Sequence, residues 1–154
     1  MQLKKEQFCI NDLISEIVVE IQLTEPKTII EFEETVNTMV FLDRGRIGQV
    51  LINFLTNAIK YSPNSNSVKV TLDIMEKELL VAVTDHGIGI SKSDQQKIFQ
   101  RFYRVSGKNE ETFPGFGIGL FIAAEIIHRH HGKIGVDSNI GKGSVFYFSL
   151  PLNN

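Results

Sequence analysis

Four short segments stand in one order along this chain, and their order and spacing constrain the fold more than any other feature. They are Asn53-Phe54-Leu55-Thr56-Asn57-Ala58-Ile59-Lys60-Tyr61, Asp85-His86-Gly87-Ile88-Gly89-Ile90, Gly115-Phe116-Gly117-Ile118-Gly119-Leu120 and Gly141-Lys142-Gly143-Ser144. The first reads as a helix bearing amides and a lysine. The second is an acid followed by alternating glycines, the third opens a helix on glycines, and the fourth is a glycine turn. Each is weak alone, and the set is specific.

The apolar pattern places them. Phe8, Leu13, Ile14, Ile17, Val18 and Ile21 recur at three and four residues and predict an amphipathic helix over residues 8–23, stopped by Pro26. Ile29–Phe32 and Met39–Leu42 read as a pair of strands. Asp43 is placed to cap a helix running to about Tyr61, before Pro63. Ile47, Val50, Leu51, Phe54, Leu55 and Ala58 form its apolar stripe. At 100° per residue, Asn53, Asn57 and Lys60 fall within roughly 60° of one another on the flank of that stripe.

Alternation in Val68, Val70, Leu72 and Ile74, then an extended run from Leu79 to Thr84, predicts a hairpin about Glu76-Lys77-Glu78 although no glycine is present. Asp85 then falls at a strand end. A short helix over 91–99 opens on Ser91 or Ser93, and the polar stretch 103–114 is long for a connector and reads as a lid. A helix from about Gly117 to His131 buries Leu120, Ala123, Ala124 and Ile127, and strands near Ile134–Ser138 and Ser144–Leu150 close the chain. Residues 1–154 are expected to form one domain. The class is α+β: a two-layer sandwich with a mixed, mostly antiparallel sheet covered by helices on one face.

Composition narrows the chemistry. A net charge of −2 with no basic run gives no case for nucleic acid, so any polyanion must be held by a local site. The single Cys9 excludes an internal disulfide and suits a reducing compartment. No apolar run reaches the roughly 20 residues of a spanning helix. The expectation is a soluble, cytoplasmic chain without membrane contact of its own.

The segments supply the parts of a nucleotide pocket. Asparagine oxygens are neutral hard ligands for a Mg²⁺ that keeps waters and phosphate oxygens, and Lys60 offers a point charge to phosphate. Asp85 accepts from an exocyclic amine, which separates adenine from guanine. Gly87 and Gly89 let a flat base approach the backbone. Gly115, Gly117 and Gly119 open a helix whose free N–H groups and dipole attract phosphate without net positive charge. Phe99 and Phe102 read as packing anchors, and Arg104 as the residue reaching a terminal phosphate. His128, His130 and His131 end a helix without acids or cysteines at ligand spacing, so a structural role is expected. The ligand this set describes is ATP.

With these segments in place, the chain resembles the catalytic and ATP-binding domain of two-component sensor histidine kinases. That family shares its fold with DNA gyrase, the ninety-kilodalton heat-shock chaperones and the MutL repair proteins. The resemblance runs from Asp12 to Phe148-Ser149-Leu150-Pro151. It implies three main helices on one side of a mixed sheet, and Mg-ATP held by Asn53, Asn57, Lys60, Tyr61, Asp85, Gly87, Gly89, Ile90, Phe102, Arg104, Gly115, Gly117, Gly119, Leu120 and Ser144. Asn57 would be the principal metal ligand, Tyr61 would lie against the adenine and Ser144 would orient the Asp85 contact. The activity implied is donation of the γ-phosphate to a histidine on a separate dimerisation domain, with a response regulator downstream.

Two departures stand out. Position 116 is Phe where the family usually has Thr or Ser, removing a hydroxyl near the phosphates. Position 53 is Asn where the ATPases of the wider group carry a glutamate base, so hydrolysis should be slow. None of the four histidines sits in a phosphoacceptor setting, so the chain is expected to be a fragment of a longer kinase, itself often membrane-anchored. Phe116 lends weight to an alternative, a non-transferring ATP/ADP-binding module. A serine kinase of the anti-sigma-factor type, which has the same fold, is the other.

Overall fold

The computed structural model describes residues 1–62, 67–101, 103 and 116–152. Its central element is the helix α2, Arg44–Lys60, preceded by β1 (Glu6–Cys9), α1 (Ile10–Thr24), β2 (Ile29–Glu34) and β3 (Met39–Leu42). The Asp43 carboxylate accepts from the Arg46 N–H at 3.1 Å and satisfies one of the free donors of the first turn. Ile47, Val50, Leu51 and Phe54 are completely buried, as their helical spacing requires.

After α2 come β4 (Ser67–Met75), β5 (Glu78–Asp85), the short α3 (Lys92–Gln95), α4 (Phe116–Arg129), β6 (Lys133–Asn139) and β7 (Gly143–Pro151). Five strands form one sheet in the order β2-β4-β5-β7-β6, with β2 parallel to β4 and every other pair antiparallel. Leu79, Val81 and Val83 of β5 are buried while Leu80, Ala82 and Thr84 between them are only partly so. Helices therefore cover one face, with α2 packed between α1 and α4. Phe54 of α2 meets Phe146 and Phe148 of β7 at ring-centroid distances of 5.5 and 6.0 Å. The β4–β5 turn manages without glycine because Glu76 and Lys77 both take positive φ, 50° and 65°, the primed-turn geometry that hairpin twist favours. Among the described residues, no helix is long and apolar enough to cross a membrane.

Three local expectations are corrected. Phe8 belongs to strand β1 rather than to the first helix, which begins at Ile10. Phe8 stands five residues before Leu13, about 140° away on a helical wheel, so it never shared the stripe of the helix it precedes. The runs at 29–32 and 39–42 are strands but do not pair with each other: β2 joins the main sheet, and β3 pairs with β1 in a separate two-stranded sheet. The region 91–99 is helical only over Lys92–Gln95, capped by Ser91, which accepts from the Asp94 N–H.

Of the histidines at the end of α4, His128 and His131 are exposed and His130 is built into the core. It is 3% exposed; Nδ1 bonds the Ile126 carbonyl at 2.8 Å and Nε2 accepts from the Asp43 N–H at 3.0 Å. Accepting at Nε2 requires the neutral ring with its proton on Nδ1, so this histidine ties α4 to the start of α2 as an uncharged link. Burial holds its pKa below the usual 6.5. The linked stability is fully present above the unfolded value and is lost as pH falls below it toward the folded pKa. His130→Ala should cost about 2–4 kcal/mol at pH 7.5, by cavity and unpaired polar groups. Urea midpoints across pH 5–8 test this: the wild type should lose stability below about 6.5, and the variant should lose that component.

Candidate functional site

The covered face of β5 ends in a carboxylate. Leu79, Val81 and Val83 point into the core, and Asp85, next in the same alternation, is 2% exposed. Its Oδ1 accepts from the backbone N–H groups of Gly87 at 2.9 Å and Ser144 at 3.2 Å. Its Oδ2 is buried with no hydrogen-bond partner within 3.5 Å among the described residues, and the Ser62 hydroxyl stands near the carboxylate. Burial pushes the Asp85 pKa above the usual carboxylate value; the Gly87 and Ser144 donors, with Ser62 and His86 nearby, offset only part of this. A buried, unpaired acceptor beside a glycine turn fits a ligand donor such as an exocyclic amine.

The turn after Asp85 is pinned on both sides. The Ile88 N–H donates to the Tyr61 carbonyl at 3.0 Å, and the Gly141 N–H to the Ile88 carbonyl at 2.8 Å. A Cβ on Gly87 would collide with the Tyr61 carbonyl oxygen, and one on Gly89, at φ +76°, with that of Asn139. The Ser138 hydroxyl accepts from the Ile90 N–H at 2.8 Å and donates to the Gly143 carbonyl at 2.9 Å. That leaves the Ser144 hydroxyl, 2.7 Å away, as the donor to Ser138. Ser144 thus faces Asp85 with its backbone N–H, while its hydroxyl turns to β6.

On α2, Asn57 Nδ2 donates to Asn53 Oδ1 at 3.1 Å, and Asn57 Oδ1 makes no hydrogen bond among the described residues. Asn53 reaches the first turn of α4, where Gly119 leaves room for its amide: a Cβ there would collide with Asn53 Nδ2. The amide pair therefore stands beside a helix N-terminus, which favours anions. Lys60, exposed in the last turn of α2, makes no ion pair or hydrogen bond with the described residues. No group of three or more His, Cys, Asp or Glu among the described residues is arranged for a metal. A cation bound by a lone carboxamide oxygen would draw its remaining ligands from phosphate and water. That suits Mg²⁺.

Tyr61, Ile90 and Leu120 have side chains in the core, 6%, 3% and 0% exposed. Gly117 lies in the first turn of α4. Phe102, Arg104 and Gly115 are outside the described residues, as is the expected lid apart from Tyr103, whose hydroxyl donates to Asp94 of α3. Phe99 packs edge-on against Phe146, with centroids 6.4 Å apart. Three residues that touch the site carried no mark in the sequence. Gln95 Nε2 donates to the Ile90 carbonyl at 2.7 Å and to the Ser138 carbonyl at 3.0 Å. Ser138 is the second. Ser62 is the third, its buried hydroxyl beside the Asp85 carboxylate. A serine placed between a tyrosine and a proline at a helix end gives no signal of its own.

A family model described as histidine kinase-, DNA gyrase B- and HSP90-like ATPase matches residues 42–154. The sensor histidine kinase WalK of Bacillus subtilis (strain 168) is 45% identical over 114 residues, covering 73% of this chain and 19% of WalK. The adaptive-response sensory kinase SasA of Thermosynechococcus vestitus is 35% identical over 99% of this chain and 40% of its own length. The chain thus spans well under half of these curated relatives. Among solved structures, the catalytic domain of histidine kinase ThkA superposes with a TM-score of 0.80 at 32% identity, covering 97% of both chains. ThkA has also been solved in complex with the response regulator protein TrrA.

Proposed function

This chain belongs to the family of histidine kinase-, DNA gyrase B- and HSP90-like ATPases, and on that premise we propose that it binds Mg-ATP and presents the γ-phosphate to a histidine on a separate dimerisation domain. The observation that carries the reading is the buried Oδ2 of Asp85, unpaired among the described residues, beside the Gly87–Gly89 turn. Asp85 accepts the adenine amine, and Gly87 and Gly89 admit the ring. Asn57 offers its free Oδ1 to the metal, Asn53 holds the Asn57 amide, and Lys60 with the N-terminal N–H groups of α4 meets phosphate. The metal neutralises charge on the phosphate oxygens during transfer. Asn53 carries no carboxylate to activate water, so transfer to a protein acceptor is favoured over hydrolysis. Phe102, Arg104, Gly115, Gly117, Ile90, Leu120, Tyr61 and Ser144 complete the proposed nucleotide site. A response regulator is the proposed downstream acceptor, as ThkA's complex with TrrA suggests by likeness.

Calorimetric titration with ATP, with and without Mg²⁺, tests binding. Asn57→Ala should bind metal-free ATP like the wild type and lose most of the Mg²⁺-dependent gain, a loss on the order of tenfold. Equal gains in both proteins would remove Asn57 from the metal. Adding the kinase's own histidine-bearing helical hairpin with γ-labelled ATP tests transfer. Acid-labile label should appear on the hairpin and not on this chain. Phe116, where the family usually carries a hydroxyl, favours the second reading of a nucleotide-binding module without transfer; saturable ATP binding with an unlabelled hairpin would select it.

A further inference from the structure

Asp85 is held through one oxygen and from two sides. The N–H groups that reach its Oδ1 come from separate turns, Gly87 at 2.9 Å and Ser144 at 3.2 Å. The carboxylate is therefore aimed only as well as those turns are fixed to each other. Ser138 of β6 fixes them. Its hydroxyl, in a side chain 6% exposed, accepts from the Ile90 N–H at 2.8 Å, donates to the Gly143 carbonyl at 2.9 Å and accepts from the Ser144 hydroxyl at 2.7 Å. One proton and two lone pairs are all that a serine hydroxyl has, and each is engaged. The Gly143 carbonyl and the Ser144 N–H belong to one peptide group, whose planar trans geometry points them in opposite directions. Ser138 grips that peptide on one side, and Asp85 is bound on the other. Gly143, at φ +96° and with no room for a Cβ against the Asp85 carbonyl, is a residue about which the peptide could otherwise turn.

We propose that Ser138 is a positioning residue for base recognition: by holding the Gly143–Ser144 peptide it aims Asp85 and leaves Oδ2 for the adenine amine. The inference rests on the nucleotide-binding reading above and deepens it. With its proton and lone pairs all engaged inside the protein, the Ser138 hydroxyl has nothing to offer a ligand, so its effect on binding passes through Asp85. A hydrogen bond into the carbonyl also polarises the peptide and strengthens its N–H as a donor to the carboxylate. Gln95 buttresses the same junction, donating to the Ile90 carbonyl at 2.7 Å and to the Ser138 carbonyl at 3.0 Å. The contribution is specific. It governs the part of the affinity that comes from the amine and leaves the phosphate contacts of α2 and α4 alone.

Ser138→Ala and Ser138→Cys in the whole chain, titrated with ATP and with purine riboside triphosphate, test this. The second ligand lacks the amine and is otherwise the same. Ser138→Ala should weaken ATP by about tenfold and the amine-free analogue by less than about twofold. Ser138→Cys, whose thiol fills the space as a weak donor, carries the same two expectations if the alanine variant does not fold. In the ligand-free variant, a carboxyl NMR titration should find Asp85 still further above the ordinary carboxylate value, since a weakened Ser144 donor stabilises the anion less. A serine that merely held the fold together would lower both affinities by one factor. That result overturns the proposal, as do an unchanged affinity for ATP, an Asp85 that titrates as in the wild type, and failure of both variants to fold. Each of these leaves nucleotide binding by the wild type intact. A wild type that binds the analogue as tightly as ATP overturns the amine contact, and one that binds neither overturns the nucleotide reading; the inference falls with either.

Discussion

Asp85→Asn should make the ligand-free chain more stable while abolishing its binding of ATP. Burial holds the Asp85 pKa above the ordinary carboxylate value of 3.8, so the folded state disfavours the charge that the residue carries at neutral pH. For a carboxylate shifted in this direction, the linked stability is fully present below the unfolded pKa and is lost as pH rises through the folded one. Asparagine keeps an oxygen for the Gly87 and Ser144 N–H groups and removes the charge. The gain at pH 7 should be about 1 kcal/mol, or roughly 2–4 °C in melting temperature for a chain of this length. It should vanish when the melts are repeated near pH 3.

The same substitution turns the atom at Oδ2 from an acceptor into a donor. Set against an adenine amine, two donors meet in a buried site where neither finds water. Loss of a hydrogen bond to a charged group, together with that conflict, should weaken ATP by at least about 100-fold. A protein that melts higher and binds nothing is the signature of a residue kept for its ligand at the expense of stability. If Asp85→Asn melts lower and still binds ATP, Asp85 is a structural acceptor for the turn, and the purine site lies elsewhere.

What could be read beforehand follows from the range of each interaction. Helix α2 was legible because its signals are local: Asp43 at the cap, a stripe from Ile47 to Ala58, and a proline just beyond. The β4–β5 hairpin was legible by alternation. The partners of β2 and β3 were not, since Glu31 meets Lys69 and Phe41 meets Gln7 by choices made across the whole chain. The site divides in the same way. Asp85 and Asn57 announce themselves because a carboxylate at a strand end and amides on a helix flank are unusual where they stand. Ser138 and Gln95 bond backbone atoms 48 and 43 residues away, and neither residue type implies a distant partner. Ser62 was hidden in the same way: it stands beside a carboxylate 23 residues further along the chain, and a serine at a helix end implies no such neighbour.

Gly87→Ala should damage the glycine turn through packing alone, and a companion variant shows why. The added Cβ of Gly87 meets the carbonyl oxygen of Tyr61, a backbone atom that already accepts from the Ile88 N–H and joins the turn to the end of α2. Neither side can yield without parting that junction, so the cost should be about 2–3 kcal/mol. The displacement carries Ser62 and Asp85 with it, and ATP affinity should fall by about tenfold or more. Gly141→Ala isolates the other penalty. Gly141 has φ +81°, and a Cβ there would find nothing within 4 Å, so alanine bears only left-handed strain of about 1 kcal/mol. Its ATP affinity should stay within about twofold of the wild type, since the substitution leaves the packing unchanged. Urea midpoints and ATP titrations of both variants separate the two penalties. Equal losses of stability would mean that the contact at Gly87 costs no more than the left-handed strain at Gly141. A larger loss at Gly87, accompanied by the loss of binding, means that the turn must touch α2 for the purine edge to be read at all.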